Sequence, residues 1–277
     1  MRLYHSKEGI VLEQEGRYKI AQSLNWDSFV NQDNLHEQAQ HLWKALPPAT
    51  QVLVYRDITL LPPIGKQEVW AAGVTYFKSR TARMEESEEE IGGPYDRVYN
   101  AERPELFFKS QPHRVVGHEK PVRIRKDSTW NVPEPELTLM INSNGNIVGY
   151  TLGNDMSSRS IEGENPLYLP QAKMYEGATA LGPCLWVTPS LNMEECALQL
   201  SIVRDDHLAF AGNTSLGQMK RTPEELVSFL YREMDFPDGC MLMTGTGIVP
   251  ENDFTLQSGD IIHIFMEQIG RLTNVVA

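Results

Sequence analysis

The feature that most constrains this chain is a predicted β-hairpin spanning residues 134–155. Two apolar runs of strand-forming residues, 137–141 and 147–152, flank Asn144-Gly145. Asn-Gly is the strongest short-range hairpin signal, because both central positions of a type I′ turn need positive φ. The sequence therefore predicts two antiparallel strands joined by a two-residue turn at Asn144-Gly145.

The register of this hairpin brings three carboxylates to its open end. Counting back from a two-residue turn places Glu134 opposite Asp155, and Glu136 follows Glu134 on the same face. Like charges that face each other destabilise a sheet, so the cluster needs an explanation. One explanation is a hard divalent cation such as Mg²⁺, Mn²⁺ or Ca²⁺, which prefers oxygen ligands. The other is a solvated acidic hairpin mouth in a protein that is rich in acidic residues.

Charge and composition exclude some functions. The formal net charge is −12, from 37 acidic against 25 basic residues, which argues against a general binder of nucleic acid or of anionic membranes. The chain shows no apolar signal region and no apolar run of membrane-spanning length. Its three scattered cysteines have no metal-binding spacing and fit a reducing compartment. We therefore expect a cytoplasmic protein.

The chain divides into two predicted units. Residues 1–65 are interpreted as a small N-terminal α/β domain, with helical apolar spacing over 33–46 and a short strand at 51–55. Residues 66–277 form the predicted catalytic domain. No catalytic motif lies in the first unit, so its expected role is packing or oligomer contact.

A charged segment follows the strand that is predicted to begin at residue 69. Residues 77–90 are compatible with a helix, on which Arg80 and Arg83 share one face. Two guanidinium groups could clamp a carboxylate, whereas the alternative is a solvated helix with internal Arg–Glu pairs. Gly92-Gly93-Pro94 adds a flexible joint, so the segment could act as a lid.

Two further stretches carry candidate chemistry. Lys173 stands among apolar and aromatic residues, and a partly desolvated lysine can act as a base, although most such lysines only extend to solvent. The stretch 244–247 reads Thr-Gly-Thr-Gly but precedes no predicted helix, so it is not a nucleotide-binding loop. It is better suited to present amides and the Thr246 hydroxyl to an anion.

Taken together, these stretches resemble the fumarylacetoacetate hydrolase superfamily from about Val69 to Val276. The residues that carry the resemblance are Glu134-Pro135-Glu136, Gly149-Tyr150-Thr151, Asn154-Asp155, Ser158-Arg159, Lys173, Leu181-Gly182-Pro183, Thr244-Gly245-Thr246-Gly247, Gly259-Asp260 and Gly270-Arg271-Leu272-Thr273-Asn274. The resemblance implies that Glu134, Glu136 and Asp155 hold Mg²⁺ or Mn²⁺. It also implies an α+β, predominantly β fold: a mixed β-roll or sandwich with few helices.

The chain departs from the hydrolases of this family in its lid. Those enzymes usually carry a His and a Glu there to activate water, whereas residues 76–90 contain no histidine. The run 153–173 instead resembles a narrower branch that dehydrates 2-keto-3-deoxy-pentonates derived from D-xylonate or D-arabinonate to 2,5-dioxopentanoate. Two alternatives remain: an acylpyruvate- or fumarylpyruvate-type C–C bond hydrolase, and a metal-dependent protein that only binds 2-keto acids.

The dehydratase resemblance implies a role for each candidate residue. Lys173 is the expected base, and Glu162 or Glu164 the expected acid for the departing hydroxyl. The expected substrate contacts are Ser79, Arg80, Arg83, Arg159 and Thr246. A small-molecule 2-keto acid is the expected partner, and a homodimer or homotetramer the expected assembly.

Overall fold

The computed structural model describes residues 1–47, 58–86 and 93–277, apart from the side chains of residues 83, 85, 86 and 94. The strands of this part are β1 (Arg2–Ser6), β2 (Gly9–Gln14), β3 (Arg17–Ala21), β4 (Glu68–Gly73), β5 (Glu105–Ser110), β6 (Val115–Val116), β7 (Asn131–Ile141), β8 (Ile147–Ser158), β9 (Thr179–Trp186), β10 (Ala197–Arg204), β11 (His207–Ser215), β12 (Cys240–Met243), β13 (Ile261–Met266) and β14 (Gly270–Val275). The helices are α1 (Trp26–Val30), α2 (Leu35–Ala45), α3 (Phe77–Glu86), α4 (Pro94–Asn100), α5 (Arg159–Glu164), α6 (Leu169–Lys173) and α7 (Pro223–Leu230). In these ranges no helix has the length and apolar character needed to cross a membrane.

Two sheets organise the described part of the chain. A ten-stranded mixed sheet runs in the order β3-β2-β1-β9-β8-β7-β12-β4-β5, with β6 added to β9. Its parallel pairs are β12 with β4 and β6 with β9, and its other pairs are antiparallel. A four-stranded antiparallel sheet has the order β11-β10-β13-β14. The predicted, predominantly β fold is confirmed.

Strand β7 lies at the centre of this packing. Leu139 belongs to the core cluster that also contains Leu200 of β10 and Ile264 of β13, so it faces the small sheet. Met140 belongs to the second cluster, with Phe29 of α1, because successive strand residues point to opposite faces. Every residue of β7 is therefore buried, and a charged side chain on this strand is withdrawn from water.

The predicted N-terminal unit, residues 1–65, contributes to the large sheet. Strand β1 pairs with β9 through Arg2–Trp186 and Leu3–Leu185, so β1, β2 and β3 extend the sheet that carries β7 and β8. The helix predicted over 33–46 is α2, whereas the strand predicted at 51–55 lies outside the described residues. The domain boundary at residue 65 stays a prediction.

The central hairpin has the predicted register at its mouth but a different turn. The Asn142 amide donates to the Asn146 carbonyl, and the Gly145 amide, at φ 80°, donates to the Asn142 carbonyl. The loop therefore has three residues, and the predicted two-residue type I′ turn is wrong. The longer loop shifts the strand pairing by one residue, and a bulge in β8 next to the loop shifts it back. Glu134 therefore still faces Asp155.

The three cysteine thiols give a test of this packing. Cys184, Cys196 and Cys240 are free and buried, and burial raises the pKa of the Cys184 thiol to about 12. Because the thiolate is the nucleophile, we expect iodoacetamide at neutral pH to leave all three unmodified in the native protein and to alkylate all three after unfolding in guanidinium. Mass spectrometry would measure this, and alkylation of any one of them in the native state would contradict the packing described.

Candidate metal centre

Three carboxylates meet at the mouth of the β7–β8 hairpin. Glu134 and Glu136 project from one face of β7, and Asp155 lies opposite Glu134 on β8. One oxygen from each side chain lies within 4.8 Å of one oxygen from each of the others. All three residues are buried, with exposures of 1–3%. The predicted convergence is confirmed, and the alternative of a solvated acidic mouth is wrong.

Three cationic side chains contact this cluster. The Arg159 guanidinium donates from Nη2 to Glu134 Oε1 at 2.6 Å. The Lys173 ammonium donates to Glu134 Oε2 at 2.5 Å and to Asp155 Oδ2 at 3.2 Å. The Lys109 ammonium lies 2.6 Å from Asp155 Oδ1. All three cations are buried, so the charges interact in an environment with little water to screen them.

Asp155 and Glu136 respond to this environment in opposite ways. Burial acts to raise the pKa of Asp155, but Lys109 and Lys173 outweigh it and lower the pKa. For Glu136, burial raises the pKa well above its ordinary value, and the charges of Asp155 and Glu134 raise it further. The side chains around Glu136 therefore compensate its charge less than Lys109 and Lys173 compensate that of Asp155.

The donor set of the triad fits a hard divalent cation. Mg²⁺ prefers oxygen ligands and binds through a few carboxylates, leaving other coordination positions for water or substrate. A cation would also supply the positive charge that the raised pKa of Glu136 indicates is lacking there. Glu134, Glu136 and Asp155 are thus the residues that would hold the ion.

The Thr-Gly-Thr-Gly stretch turns an amide towards the triad. The Gly245 amide donates to Glu136 Oε2 at 2.6 Å, so the anion facing this loop is a side chain of the protein itself. Gly245 has φ 93°, and a Cβ there would lie 2.0 Å from Thr75 Oγ1, so the position requires glycine. The Thr246 hydroxyl donates to the Ile248 carbonyl at 3.2 Å. Its contact with substrate stays a prediction.

The predicted lid residues have structural partners here. The Ser79 hydroxyl donates to the Tyr76 carbonyl at 2.8 Å, in the first turn of α3. Arg80 donates to Asp96 Oδ1 through Nε at 3.0 Å and Nη2 at 2.7 Å, which ties α3 to α4. The side chain of Arg83 lies outside the described residues. The structure therefore does not join Ser79 or Arg80 to the triad, and the three substrate contacts stay predictions.

The two candidate acids occupy different environments. Glu162 is buried, and the Ser157 hydroxyl donates to its Oε2 at 3.0 Å. Ser157 lies two residues beyond Asp155 on β8, so both side chains leave the same face. This contact holds Glu162 on the side of the sheet that carries the triad. Glu164 is exposed at the end of α5.

Lys109 is the site residue that the sequence analysis missed. It lies in β5, where Phe107 and Phe108 are only half-buried although Lys109 is fully buried. No apolar periodicity marks this lysine as an inward-facing residue. The weak signal available was a charged residue directly after the apolar run 106–108.

The comparisons with known proteins show the family of this chain. The family described as "Fumarylacetoacetate (FAA) hydrolase C-terminal" matches residues 69–277, and the chain belongs to this family. The match begins close to the boundary predicted at residue 66.

Two proteins named as dehydratases and one solved dehydratase structure are similar to this chain over most of its length. One relative is a Saccharolobus solfataricus protein named 2-dehydro-3-deoxy-D-arabinonate dehydratase. The two sequences are 43% identical in a region that covers 79% of this chain and 75% of the relative. Another relative is a Haloferax volcanii protein named "Probable 2-keto-3-deoxyxylonate dehydratase". Its sequence is 47% identical in a region that covers 77% of this chain and 73% of the relative. A solved structure of 2-keto-3-deoxy-D-arabinonate dehydratase with magnesium and 2,5-dioxopentanoate has a TM-score of 0.84 and 32% identity, covering 100% of this chain and 98% of the other.

Substituting Glu136→Gln separates metal binding from folding. The amide keeps an acceptor for Gly245 but removes a buried negative charge, so we expect Tm without metal to equal or exceed that of the unaltered protein. In the unaltered protein, Mg²⁺ at about 100 times its Kd should add about 2.7 kcal/mol. That gain corresponds to about 5–10 °C in Tm for a chain of this size.

The Mg²⁺-dependent rise should be lost in Glu136→Gln and kept in the exposed control Glu251→Gln. Differential scanning calorimetry with Mg²⁺ or with a chelator measures both quantities. An unchanged Mg²⁺ shift in Glu136→Gln would remove this residue from the metal centre.

Proposed function

We propose that this protein is a Mg²⁺-dependent dehydratase that converts a 2-keto-3-deoxy-pentonate to 2,5-dioxopentanoate. The observation that carries the proposal is the buried triad with Lys173 in contact with two of its carboxylates. The identity of 43–47% to two proteins with sugar-acid dehydratase names supports the same reaction.

The two sugar acids in the names of these relatives lead to one substrate. D-arabinonate and D-xylonate differ at C2 and C3, and both centres are lost when C2 becomes a ketone and C3 a methylene. The remaining centre, C4, has the D configuration in both. The proposed substrate is therefore 2-keto-3-deoxy-D-pentonate from either source, and the open question is selectivity between the D and L forms at C4.

The charges of the site suit an anionic substrate. Three cations, Lys109, Lys173 and Arg159, already contact the carboxylates of the triad. A bound divalent ion would add positive charge to this buried region, so a substrate carboxylate is attracted to it. When bound, the ion supplies Lewis-acid stabilisation of the charge that develops on the 2-keto group.

Lys173 and Glu162 divide the proton transfers. Lys173, as the neutral amine that a cation on Glu134 and Asp155 would favour, removes a proton from C3, next to the keto group, and becomes an ammonium. Glu162 protonates the hydroxyl that leaves C4, since it is buried on the same side of the sheet and positioned by Ser157. The elimination leaves a C3=C4 double bond next to the keto group. A proton then moves from C5 to C3, and the C4=C5 enol that results takes a proton at C4 and releases its hydroxyl proton to give the aldehyde. Glu164, which is exposed, takes no part in these steps.

The acylpyruvate- or fumarylpyruvate-type hydrolase is the second candidate, since it uses the same metal centre. Cleavage of a C–C bond needs an activated water, and residues 76–90 offer no histidine for that step. A protein that only binds 2-keto acids would not need a lysine in contact with two carboxylates of the triad. Both points favour the dehydratase.

Location and assembly belong to the same proposal. A cytoplasmic site is supported by three free buried thiols and by the metabolic substrate. A homodimer or homotetramer is supported by exposed large apolar side chains, of which Leu167 is 83%, Leu208 66% and Phe77 60% exposed. Analytical ultracentrifugation measures the oligomeric state.

A panel of substrates tests the reaction itself. With Mg²⁺ present, we expect 2-keto-3-deoxy-D-pentonate to give 2,5-dioxopentanoate, and acylpyruvate and fumarylpyruvate to give no pyruvate. NMR of the products measures both reactions, and a chelator should abolish turnover. Release of pyruvate without aldehyde would establish the hydrolase instead, and saturable binding without turnover would establish a binding protein.

Paired substitutions distinguish the two candidate acids. We expect Glu162→Gln to lower kcat by about 10²–10⁴-fold, the usual contribution of a general acid. Glu164→Gln, in the same helix but exposed, should keep kcat close to that of the unaltered enzyme. Steady-state kinetics on the D substrate measures both variants, and the reverse pattern would exchange the two roles.

A further inference from the structure

Lys109 has contacts that the proposed reaction does not use. Its ammonium nitrogen donates to the Lys173 carbonyl at 2.5 Å and to the Met156 carbonyl at 3.2 Å, and lies 2.6 Å from Asp155 Oδ1. A lysine ammonium has three N–H donors and no acceptor. Two carbonyl oxygens therefore accept hydrogen bonds from this buried cation and one carboxylate balances its charge, which are the conditions for keeping a charge away from water.

The three oxygens belong to elements of unequal rigidity. Asp155 and Met156 lie on β8, which is hydrogen-bonded on both sides, to β7 and to β9. Lys173 ends α6, a helix of five residues. Helices this short are unstable without tertiary contacts. The loss of Lys109 should therefore disturb α6 more than β8.

Lys109 acts at the end of α6 where a cation stabilises a helix. The last carbonyls of a helix lack partners within it, and positive charge nearby is favourable. The Lys109 ammonium meets the carbonyl of Lys173 itself, the last residue of α6. It thereby fixes the backbone from which the Lys173 side chain extends to Glu134 and Asp155.

We propose that Lys109 is a positioning residue that anchors α6 and so holds Lys173 against the carboxylate triad. The inference rests on the proposed function, in which Lys173 is the base. Lys109 does not touch the substrate in this account, because its ammonium nitrogen donates to the carbonyls of Met156 and Lys173 and forms an ion pair with Asp155. Its loss should impair the proton transfer more than the binding of metal or substrate.

The first experiment compares Lys109→Met with Lys66→Met, a change at an exposed lysine. We expect kcat of Lys109→Met to fall by about 100-fold, as a misplacement of about 1 Å produces. We expect KM, and the Mg²⁺ Kd from calorimetry, to change by less than about tenfold, because binding does not depend on the base. A kcat within tenfold of the unaltered enzyme, or a parallel loss of Mg²⁺ binding, would overturn the proposal.

A double-mutant cycle separates positioning from a general loss of stability. Lys109→Met should lower kcat strongly on its own but add almost nothing in a Lys173→Met background, because it acts through that residue. Equal losses in both backgrounds would show that Lys109 acts independently of Lys173. Lys109→Arg provides a second variant that keeps the charge: it should fold and bind Mg²⁺, with kcat reduced by its longer side chain.

Hydrogen exchange tests the anchoring without any turnover. In peptides covering residues 166–175, exchange should be faster in Lys109→Met than in Lys66→Met, while peptides from β8 stay protected. If the unaltered enzyme dehydrates no 2-keto acid, the proposed function fails, yet this measurement still decides whether Lys109 anchors α6. Unchanged exchange in 166–175 would falsify the anchoring role.

Discussion

The repulsion among three buried carboxylates is the constraint on which the rest of the site depends. Glu134, Glu136 and Asp155 have lost their water, and a buried carboxylate is tolerated only when it is paired, protonated or bound to a metal. Lys109 and Lys173 pair with Asp155 and lower its pKa, whereas burial raises the pKa of Glu136. A divalent cation held by the triad would place further positive charge beside Glu136.

The fold keeps this arrangement from relaxing. A surface carboxylate would turn to solvent, but β7 and β8 lie in the interior of the large sheet, with the small sheet and the N-terminal helices covering their faces. Their side chains cannot diverge without breaking the ladder between the two strands. The residues before β4 therefore contribute to the chemistry indirectly, by burying the strands that carry it.

The convergence of the three carboxylates could be predicted from the sequence, because the alternation of strand side chains fixes which residues share a face. The turn type was wrong, yet the register survived, since the three-residue loop and the bulge in β8 change the count by equal and opposite amounts. Lys109 and the Arg80–Asp96 pair could not be found in this way. Each of these contacts joins two different elements, and no local pattern records which long side chains meet between elements.

The site combines side chains from central strands of a sheet with side chains from short helices, and this has a chemical consequence. The carboxylates of the triad stand on β7 and β8, whereas the proposed base and acid stand on α6 and α5, two short helices that come after β8 in the chain. An ion needs ligands with a fixed geometry, but a base that first takes and then returns a proton needs a position that is held without being immobile. A short helix held by a buried lysine meets that need. Lys109 restrains the backbone at the end of α6 through the Lys173 carbonyl. The Lys173 side chain can then leave Glu134 and Asp155 and take a proton from the substrate.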